Sequence, residues 1–112
     1  MWKKRQMPVI RRAEPQDSDE WLRMRRALWP DCPLERHLAE MGEYGPDGQG
    51  MATFVASRAE GGLCGFLEAS LRQFAAGCES RPVGYIEGWY VDPDVRLQGI
   101  GGTMGRSYMR IF

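Results

Sequence analysis

The residues with the clearest capacity for chemistry are the glycine-rich run from Arg96 to Gly102. The run follows a segment rich in aromatic and β-branched residues, Val83 to Val91, and precedes the apolar spacing of a helix. A strand that enters a helix through such a turn leaves backbone N–H groups without internal partners, and the helix dipole adds positive potential. This arrangement favours a phosphate or diphosphate ligand.

Two common phosphate-binding patterns do not fit this run. A Walker loop requires Gly-Lys-Ser/Thr, and no lysine lies near; a dinucleotide-binding pattern requires a third glycine where the chain has Met104. The pattern that remains is Arg96-x-x-Gly99-x-Gly101. Because it also fits a plain glycine-rich turn between a strand and a helix, a binding role and a structural role both remain open.

Composition excludes several classes of function. The 112 residues suffice for one compact domain, which we expect over residues 8–112 behind a flexible lead-in at residues 1–7. With 15 basic and 15 acidic side chains, the chain has no general positive field for nucleic acid. Its apolar runs are a few residues long, whereas a membrane helix needs about 20. We predict neither nucleic-acid nor membrane partners.

The cysteines and the histidine give no pattern of metal or disulfide chemistry. Cys32, Cys64 and Cys78 are odd in number and lack zinc-ribbon spacing, and His37 is the only histidine. A Cys-His nucleophile pair would have to use His37, and no third residue is evident to orient it. We predict no metal site and reduced thiols, as in a cytoplasmic protein.

The N-terminal half must supply helices around these groups. Residues Val9 to Ala13 predict a first strand, and Ser18 predicts the cap of a helix that ends at Pro30. The core face of this helix is predicted from Trp21, Met24 and Leu28. A second amphipathic stretch follows, with a predicted core face of Leu34, Leu38 and Met41.

The middle of the chain predicts strands. Met51 to Ala56 and Leu63 to Leu71 flank a Gly61-Gly62 turn, which is typical of an antiparallel hairpin. Val83 to Val91 predicts the next strand, and it contains Gly88. An interior glycine in a strand indicates a bulge or the close approach of another backbone or of a ligand.

This order of elements, together with Arg96-x-x-Gly99-x-Gly101 and the preceding Val-Asp-Pro-Asp-Val, resembles the GNAT-type N-acetyltransferases. Longer motifs narrow the resemblance to the aminoglycoside 6′-N-acetyltransferases: Leu-Trp-Pro at Leu28–Pro30, Ser-Leu-Arg at Ser70–Arg72, and Glu-Gly-Trp-Tyr-Val at Glu87–Val91. The similarity covers nearly the whole chain. It implies an α+β, GNAT-type fold in which a mixed, mostly antiparallel sheet is flanked by helices.

The resemblance also implies an activity and its components. The activity is acetyl transfer from acetyl-coenzyme A to the 6′-amino group of an aminoglycoside antibiotic, by direct attack in a ternary complex and without a metal. It implies a cytoplasmic resistance enzyme that forms homodimers. Alternatives are a fragment that binds acetyl-coenzyme A without turnover, or an acetyltransferase of another small amine or of a protein N-terminus.

Individual residues take roles from the same resemblance. Trp29 matches the tryptophan that lines the aminoglycoside pocket, and Glu87 the carboxylate that meets the substrate amine. Phe74 falls where relatives can carry a substrate-contacting tyrosine, and Cys32 replaces a histidine of some relatives. The acetyl-coenzyme A site is implied at Trp89, Tyr90, Val91, Arg96, Leu97, Gln98, Gly99, Ile100, Gly101 and Gly102.

The chemistry of amine acetylation fits Glu87 as the catalytic residue. An aminoglycoside amine is largely protonated near neutral pH, so a carboxylate must hold the cation and accept or relay its proton. A strand N–H at Tyr90 or Val91 would stabilise the oxyanion. The residues alone favour a surface carboxylate paired with an arginine at Glu87, and the resemblance reverses that preference.

The sequence departs from the family at its C-terminal end. It stops one helix after the glycine run, whereas the family continues with further strands and a helix, which would carry the general acid. We therefore expect an incomplete acetyltransferase domain with an exposed edge beside Val83 to Val91.

Overall fold

A computed structural model describes residues 8–44, 51–72 and 83–96 of the chain. These residues form four strands, two α-helices and two short 3-10 turns. The elements are β1 (Val9–Arg12), a turn at Pro15–Asp17, α1 (Ser18–Leu28), α2 (Leu34–Glu43), β2 (Met51–Ser57), β3 (Leu63–Arg72), β4 (Val83–Val91) and a turn at Pro93–Val95. None of the helices described is long and apolar enough to cross a membrane.

The strands form one antiparallel sheet in the order β1-β2-β3-β4. The predicted hairpin of β2 and β3 is confirmed, and its turn uses Gly61 and Gly62 at φ angles of 106° and 79°. Such positive values strain any residue with a side chain, which explains the paired glycines. The α+β class predicted from the sequence is therefore correct.

Two clusters of buried residues cover the two faces of the central strands. On the face toward the helices, the cluster contains Trp21, Met24, Met41, Val55, Leu63, Phe66 and Tyr90. The opposite face buries Ala52, Phe54, Ala56, Cys64, Leu67 and Ala69. Adjacent residues of β2 and β3 thus alternate between two apolar environments, which is why both strands are almost continuously apolar.

The start of α1 differs from the prediction that Ser18 caps it. Ser18 is already helical, and its hydroxyl donates to the carbonyl of Pro15 at 2.8 Å. The residue before it, Asp17, accepts two hydrogen bonds from Arg11, at 2.7 and 2.9 Å, and one from the Glu14 N–H at 2.7 Å. Because Pro15 opens a 3-10 turn, the carboxylate closes that turn instead of capping α1.

The predicted core face of α2 is wrong for two of its three residues. Leu34 and Leu38 are 45% and 52% exposed, whereas Met41 is buried and His37 is fully buried. The cause is a buried arginine on α1: the Arg25 Nε–H donates to His37 Nδ1 at 3.1 Å, and Arg25 also bonds Glu40. Since His37, Glu40 and Met41 share one helical face, α2 turns that face inward.

The predicted core face of α1 is confirmed by Trp21 and Met24, while Leu28 is half-buried against the same cluster.

Asp92, the residue directly after β4, fixes the direction in which the chain leaves that strand. Its buried carboxylate accepts two hydrogen bonds from Arg23, both at 3.0 Å, and its N–H donates to the carbonyl of Cys64 at 2.7 Å.

Met24→Ala should lower the free energy of unfolding by about 3 kcal/mol, because it leaves a cavity beneath α1 where no atom is exposed. Leu38→Ala should change it by less than about 0.5 kcal/mol, because that side chain is half in water. Urea denaturation of both variants measures the difference. Equal losses would contradict the placement of α2.

Asp92→Asn should lower stability at pH 7 by about 1–2 kcal/mol, since it removes the charge of a buried carboxylate from its ion pair with Arg23, whose own side chain is 45% exposed. Burial opposes ionisation of Asp92, yet hydrogen bonds from Arg23, Arg58 and Tyr90 outweigh it and lower the pKa of the carboxyl group. A lowered pKa contributes stability above the unfolded value, about 3.9, and loses it as the pH falls below that value.

The melting temperature of the wild type should therefore fall when the pH is lowered below about 4, and that of Asp92→Asn should fall less steeply. Thermal unfolding between neutral and acid pH measures both slopes. Asp19→Asn, at an exposed position of α1, is the control and should keep the wild-type slope. The same slope in Asp92→Asn would show that this carboxylate does not contribute.

Candidate active site

A cavity of about 550 Å³ lies where the end of α1, the helix α2 and the strand β4 meet. Its walls come from four parts of the chain that are distant in sequence. They are Arg25, Leu28, Trp29, Pro30, Asp31, Cys32, Arg36, Glu40, Glu43, Tyr44, Glu68 and Glu87. The two residues predicted for the substrate site that the structure describes, Trp29 and Glu87, thus line one cavity.

A β-bulge in β4 brings Glu87 to this cavity. Gly88 pairs with Glu68 of β3, but the next pair is Ile86 with Ala69, so β4 advances by two residues where β3 advances by one, and Glu87 is the extra residue. The bulge reverses the order in which the side chains of β4 alternate between the two faces of the sheet, so that Ile86 lies on the same face as Ala69. In a strand without the bulge, strict alternation would place the Glu87 side chain on the face of the sheet opposite to that of Glu68.

The position of the Glu87 carboxylate confirms this consequence. Ser70, two residues after Glu68 and therefore on the same face of β3, donates from its hydroxyl to Glu87 Oε1 at 2.6 Å. Glu68 and Glu87 both line the cavity. The predicted bulge at Gly88 is confirmed, and the group that approaches this glycine is a side chain, whereas the sequence predicted a backbone or a ligand.

The close approach at Gly88 comes from Trp29. A Cβ at Gly88 would lie 2.5 Å from Trp29 Cη2, closer than side chains approach one another, and 3.1 Å from Cζ2, which is a tight contact. The indole therefore occupies the space of the missing side chain. Trp29 reaches β4 because it precedes Pro30: the proline disfavours helical dihedrals at Trp29, and α1 ends at Leu28.

The indole of Trp29 is held on its other sides as well. The Arg25 guanidinium carbon lies 4.8 Å from the ring centre, which is a cation–π contact. Phe66 of β3 meets the ring edge to face at 6.2 Å. Three elements, α1, β3 and β4, thus fix the orientation of the aromatic wall of the cavity.

A buried charge network forms the floor of the cavity. Arg25 and Glu68 are each 1% exposed, and Arg25 donates to Glu68, to Glu40 and, through Nε, to His37. Trp21 Nε1 also donates to Glu68, at 2.9 Å. Burial raises the pKa of Glu68, and the hydrogen bond from Arg25 opposes that shift.

The sequence analysis did not identify Arg25 or Glu68. Two signals for them exist. Glu68 is the one carboxylate within the apolar strand Leu63 to Leu71. Arg25 lies four residues after Trp21 and three before Leu28, so it occupies the helical face that those residues predict to be buried.

The charge of the cavity favours a cation. Among the described residues of its wall, five carboxylates face two guanidinium groups. Tyr44 responds to this field: burial, together with the charges of Glu87 and Glu68, raises its pKa to about 12. A bound ammonium group would relieve the same repulsion.

Residues predicted for acetyl-coenzyme A lie at the end of β4, beside the cavity. Tyr90 is buried and stacks on Phe66 with ring centres 6.1 Å apart, while Trp89 is 43% exposed. Arg96 folds back on this strand: its Nε–H donates to the carbonyl of Val91 at 2.8 Å, and its guanidinium lies 5.6 Å from the Tyr90 ring centre.

The remaining predicted site residues, Phe74 and Leu97 to Gly102, lie outside the described residues. Their assigned roles stay predictions. Of the thiols described, Cys32 lines the cavity and Cys64 is buried, with its pKa raised by that burial. Among the described residues, no group of three His, Cys, Asp or Glu side chains could hold a metal ion.

Comparison with known proteins gives one consistent match. The family model described as acetyltransferase (GNAT) family matches residues 18–110. The aminoglycoside N(6′)-acetyltransferase type 1 of Klebsiella aerogenes is 41% identical over 102 residues, which are 89% of this chain and 67% of the relative. That of Stenotrophomonas maltophilia is 43% identical over 100 residues, covering 87% of this chain and 62% of the relative.

Solved structures give the same match. The structure of AAC(6′)-Iy with the bisubstrate analogue CoA-S-monomethyl-acetylneamine superposes with a TM-score of 0.81 at 33% identity, over 91% of this chain and 69% of that one. Its complex with coenzyme A gives 0.84 at 32% identity, over 96% and 70%. The chain spans about two thirds of the length of the relatives it matches. It belongs to the GNAT acetyltransferase family and, within it, to the aminoglycoside N(6′)-acetyltransferases.

Proposed function

We propose that this chain catalyses acetyl transfer from acetyl-coenzyme A to the 6′-amino group of an aminoglycoside antibiotic, and so confers resistance to that antibiotic. The observation that carries the proposal is the bulge that directs Glu87 into an acidic cavity, against the indole of Trp29. The names of the relatives, which are aminoglycoside N(6′)-acetyltransferases, support the same substrate.

In the proposed complex, the polycationic sugar enters the cavity and lies against Trp29. Its 6′-ammonium group meets the Glu87 carboxylate, which Ser70 holds on the cavity face of the sheet at 2.6 Å. Glu87 accepts the proton, directly or through a water molecule, and leaves a neutral amine. The remaining carboxylates of the wall hold the other ammonium groups of the sugar.

Acetyl-coenzyme A is the cosubstrate, and β4 supplies its backbone contacts at Trp89, Tyr90 and Val91. The amine nitrogen attacks the thioester carbonyl, and an N–H of Tyr90 or Val91 stabilises the oxyanion. The carbon–sulfur bond then breaks, and the departing thiolate takes up the proton that the nitrogen loses as the amide forms. The diphosphate binds the glycine run from Arg96 to Gly102, as the sequence predicts. Related structures that contain coenzyme A or a bisubstrate analogue support this placement.

We further propose that the protein acts in the cytoplasm as a homodimer, as its sequence resemblance implies. Its partners are then small molecules and not nucleic acid, because 15 basic and 15 acidic residues leave no net positive charge to attract a phosphate backbone.

The test is thiol release from acetyl-coenzyme A with kanamycin or tobramycin, measured on this chain beside a longer relative as positive control. We expect aminoglycoside-dependent release. Binding of coenzyme A in calorimetry with no release would instead support a role in coenzyme A binding without turnover.

Glu87→Gln should lower kcat by about 100-fold or more, because the amide cannot accept the ammonium proton, and it should leave the affinity for coenzyme A unchanged. Glu43→Gln removes an exposed carboxylate from the same cavity and should raise KM for the aminoglycoside with little effect on kcat. Steady-state kinetics and calorimetry separate the two. Equal losses in turnover and coenzyme A binding for Glu87→Gln would exclude its role in proton transfer.

Gly88→Ala should raise KM for the aminoglycoside by about tenfold or more, because the new methyl group displaces the Trp29 ring and disturbs the carboxylate beside it. Gly42→Ala is the control: no atom lies within 4 Å of a Cβ built there. Kinetics with both substrates measures the effect, and a wild-type KM in Gly88→Ala would contradict the packing of Trp29 on β4.

A further inference from the structure

A second charge cluster lies at the C-terminal end of β4, and none of its side chains lines the cavity. Arg58, which directly follows β2, donates to both carboxylates that flank Pro93. Its contacts with Asp94 are 2.9 and 2.8 Å long, and its contact with Asp92 is 3.2 Å. Arg58 thus spans the turn through which the chain leaves β4.

Arg58 is itself held in a rigid place. Its N–H donates to the carbonyl of Gly62 at 2.9 Å, and its carbonyl accepts from the N–H of Gly61 at 3.1 Å. Both glycines belong to the turn between β2 and β3. The guanidinium therefore extends from a closed hairpin and not from a free loop.

The turn after β4 is fixed at its backbone as well as its side chains. The Asp92 N–H donates to Cys64 of β3, and the Asp92 carbonyl accepts from the Val95 N–H at 3.1 Å. Arg23 of α1 holds the Asp92 carboxylate from the other side. These contacts fix the backbone just before Arg96, the first residue of the glycine run.

We propose that Arg58 and Asp94 are positioning residues for acetyl-coenzyme A: their ion pair sets the start of the segment whose N–H groups bind the diphosphate. The inference rests on the proposed function, because it takes the glycine run as the diphosphate site. Neither side chain needs to contact the cosubstrate, since the effect passes through the turn at Pro93–Val95.

The sign of one substitution separates positioning from plain electrostatics. Asp94 is 62% exposed, and Asp94→Asn removes a negative charge near an anionic ligand. If charge alone mattered, or if Arg58 contacted the diphosphate directly, this change would tighten binding. If the ion pair positions the turn, the same change weakens binding, because Arg58 loses its partner there.

The experiment is isothermal titration of coenzyme A into the wild-type chain and three variants. Asp94→Asn should weaken binding by about fivefold, the scale of one exposed ion pair, and Arg58→Gln at least as much. Glu60→Gln is the matched control: Glu60 lies 3.9 Å from the same guanidinium but is not part of the turn at Pro93–Val95. It should bind like the wild type.

Kinetics provides the readout that a general loss of stability would not give. KM for acetyl-coenzyme A should rise in Asp94→Asn while KM for kanamycin stays at the wild-type value, with unchanged melting temperature. Unchanged or tighter binding of coenzyme A by Asp94→Asn would overturn the inference. A wild-type chain that binds no coenzyme A would overturn the proposed function with it.

Discussion

The single extra residue in β4 is the constraint on which the candidate site depends. A regular strand would turn Glu87 away from Glu68, whereas the bulge places both carboxylates on the cavity and lets Ser70 hold Glu87. The bulge sits beside Gly88, where the strand has no side chain and the Trp29 indole fills the space. Carboxylate and aromatic wall are therefore positioned by the same short stretch of backbone.

The buried guanidinium of Arg25 is the second element of this design. It bonds two carboxylates and His37 while its face lies against Trp29. A buried arginine needs all of these partners, because an unpaired charge in that place would cost several kcal/mol, on the order of 3–5. The need for partners also explains the orientation of α2, which buries a histidine and leaves two leucines in water.

The sequence predicted those parts of the molecule that follow from local rules. Composition and the Gly61-Gly62 turn predicted β2, β3 and β4, an interior glycine predicted the bulge, and periodicity predicted the core face of α1. It failed for Leu34 and Leu38, because the inward face of α2 follows from Arg25, a residue on another helix. Ser18 failed as a cap because Pro15 lets Asp17 close an earlier turn. Glu87 and Trp29 came from family resemblance, since spacing alone cannot assign a carboxylate to a substrate.

The charge of the cavity has a consequence for aminoglycosides that already carry a phosphate ester. Arg25 is committed to its own carboxylates, and Arg36 is the other guanidinium on the wall. A phosphate ester on the sugar ring would therefore enter a space dominated by negative charge and meet Coulomb repulsion. We expect an aminoglycoside that carries a phosphate ester to bind poorly in this cavity.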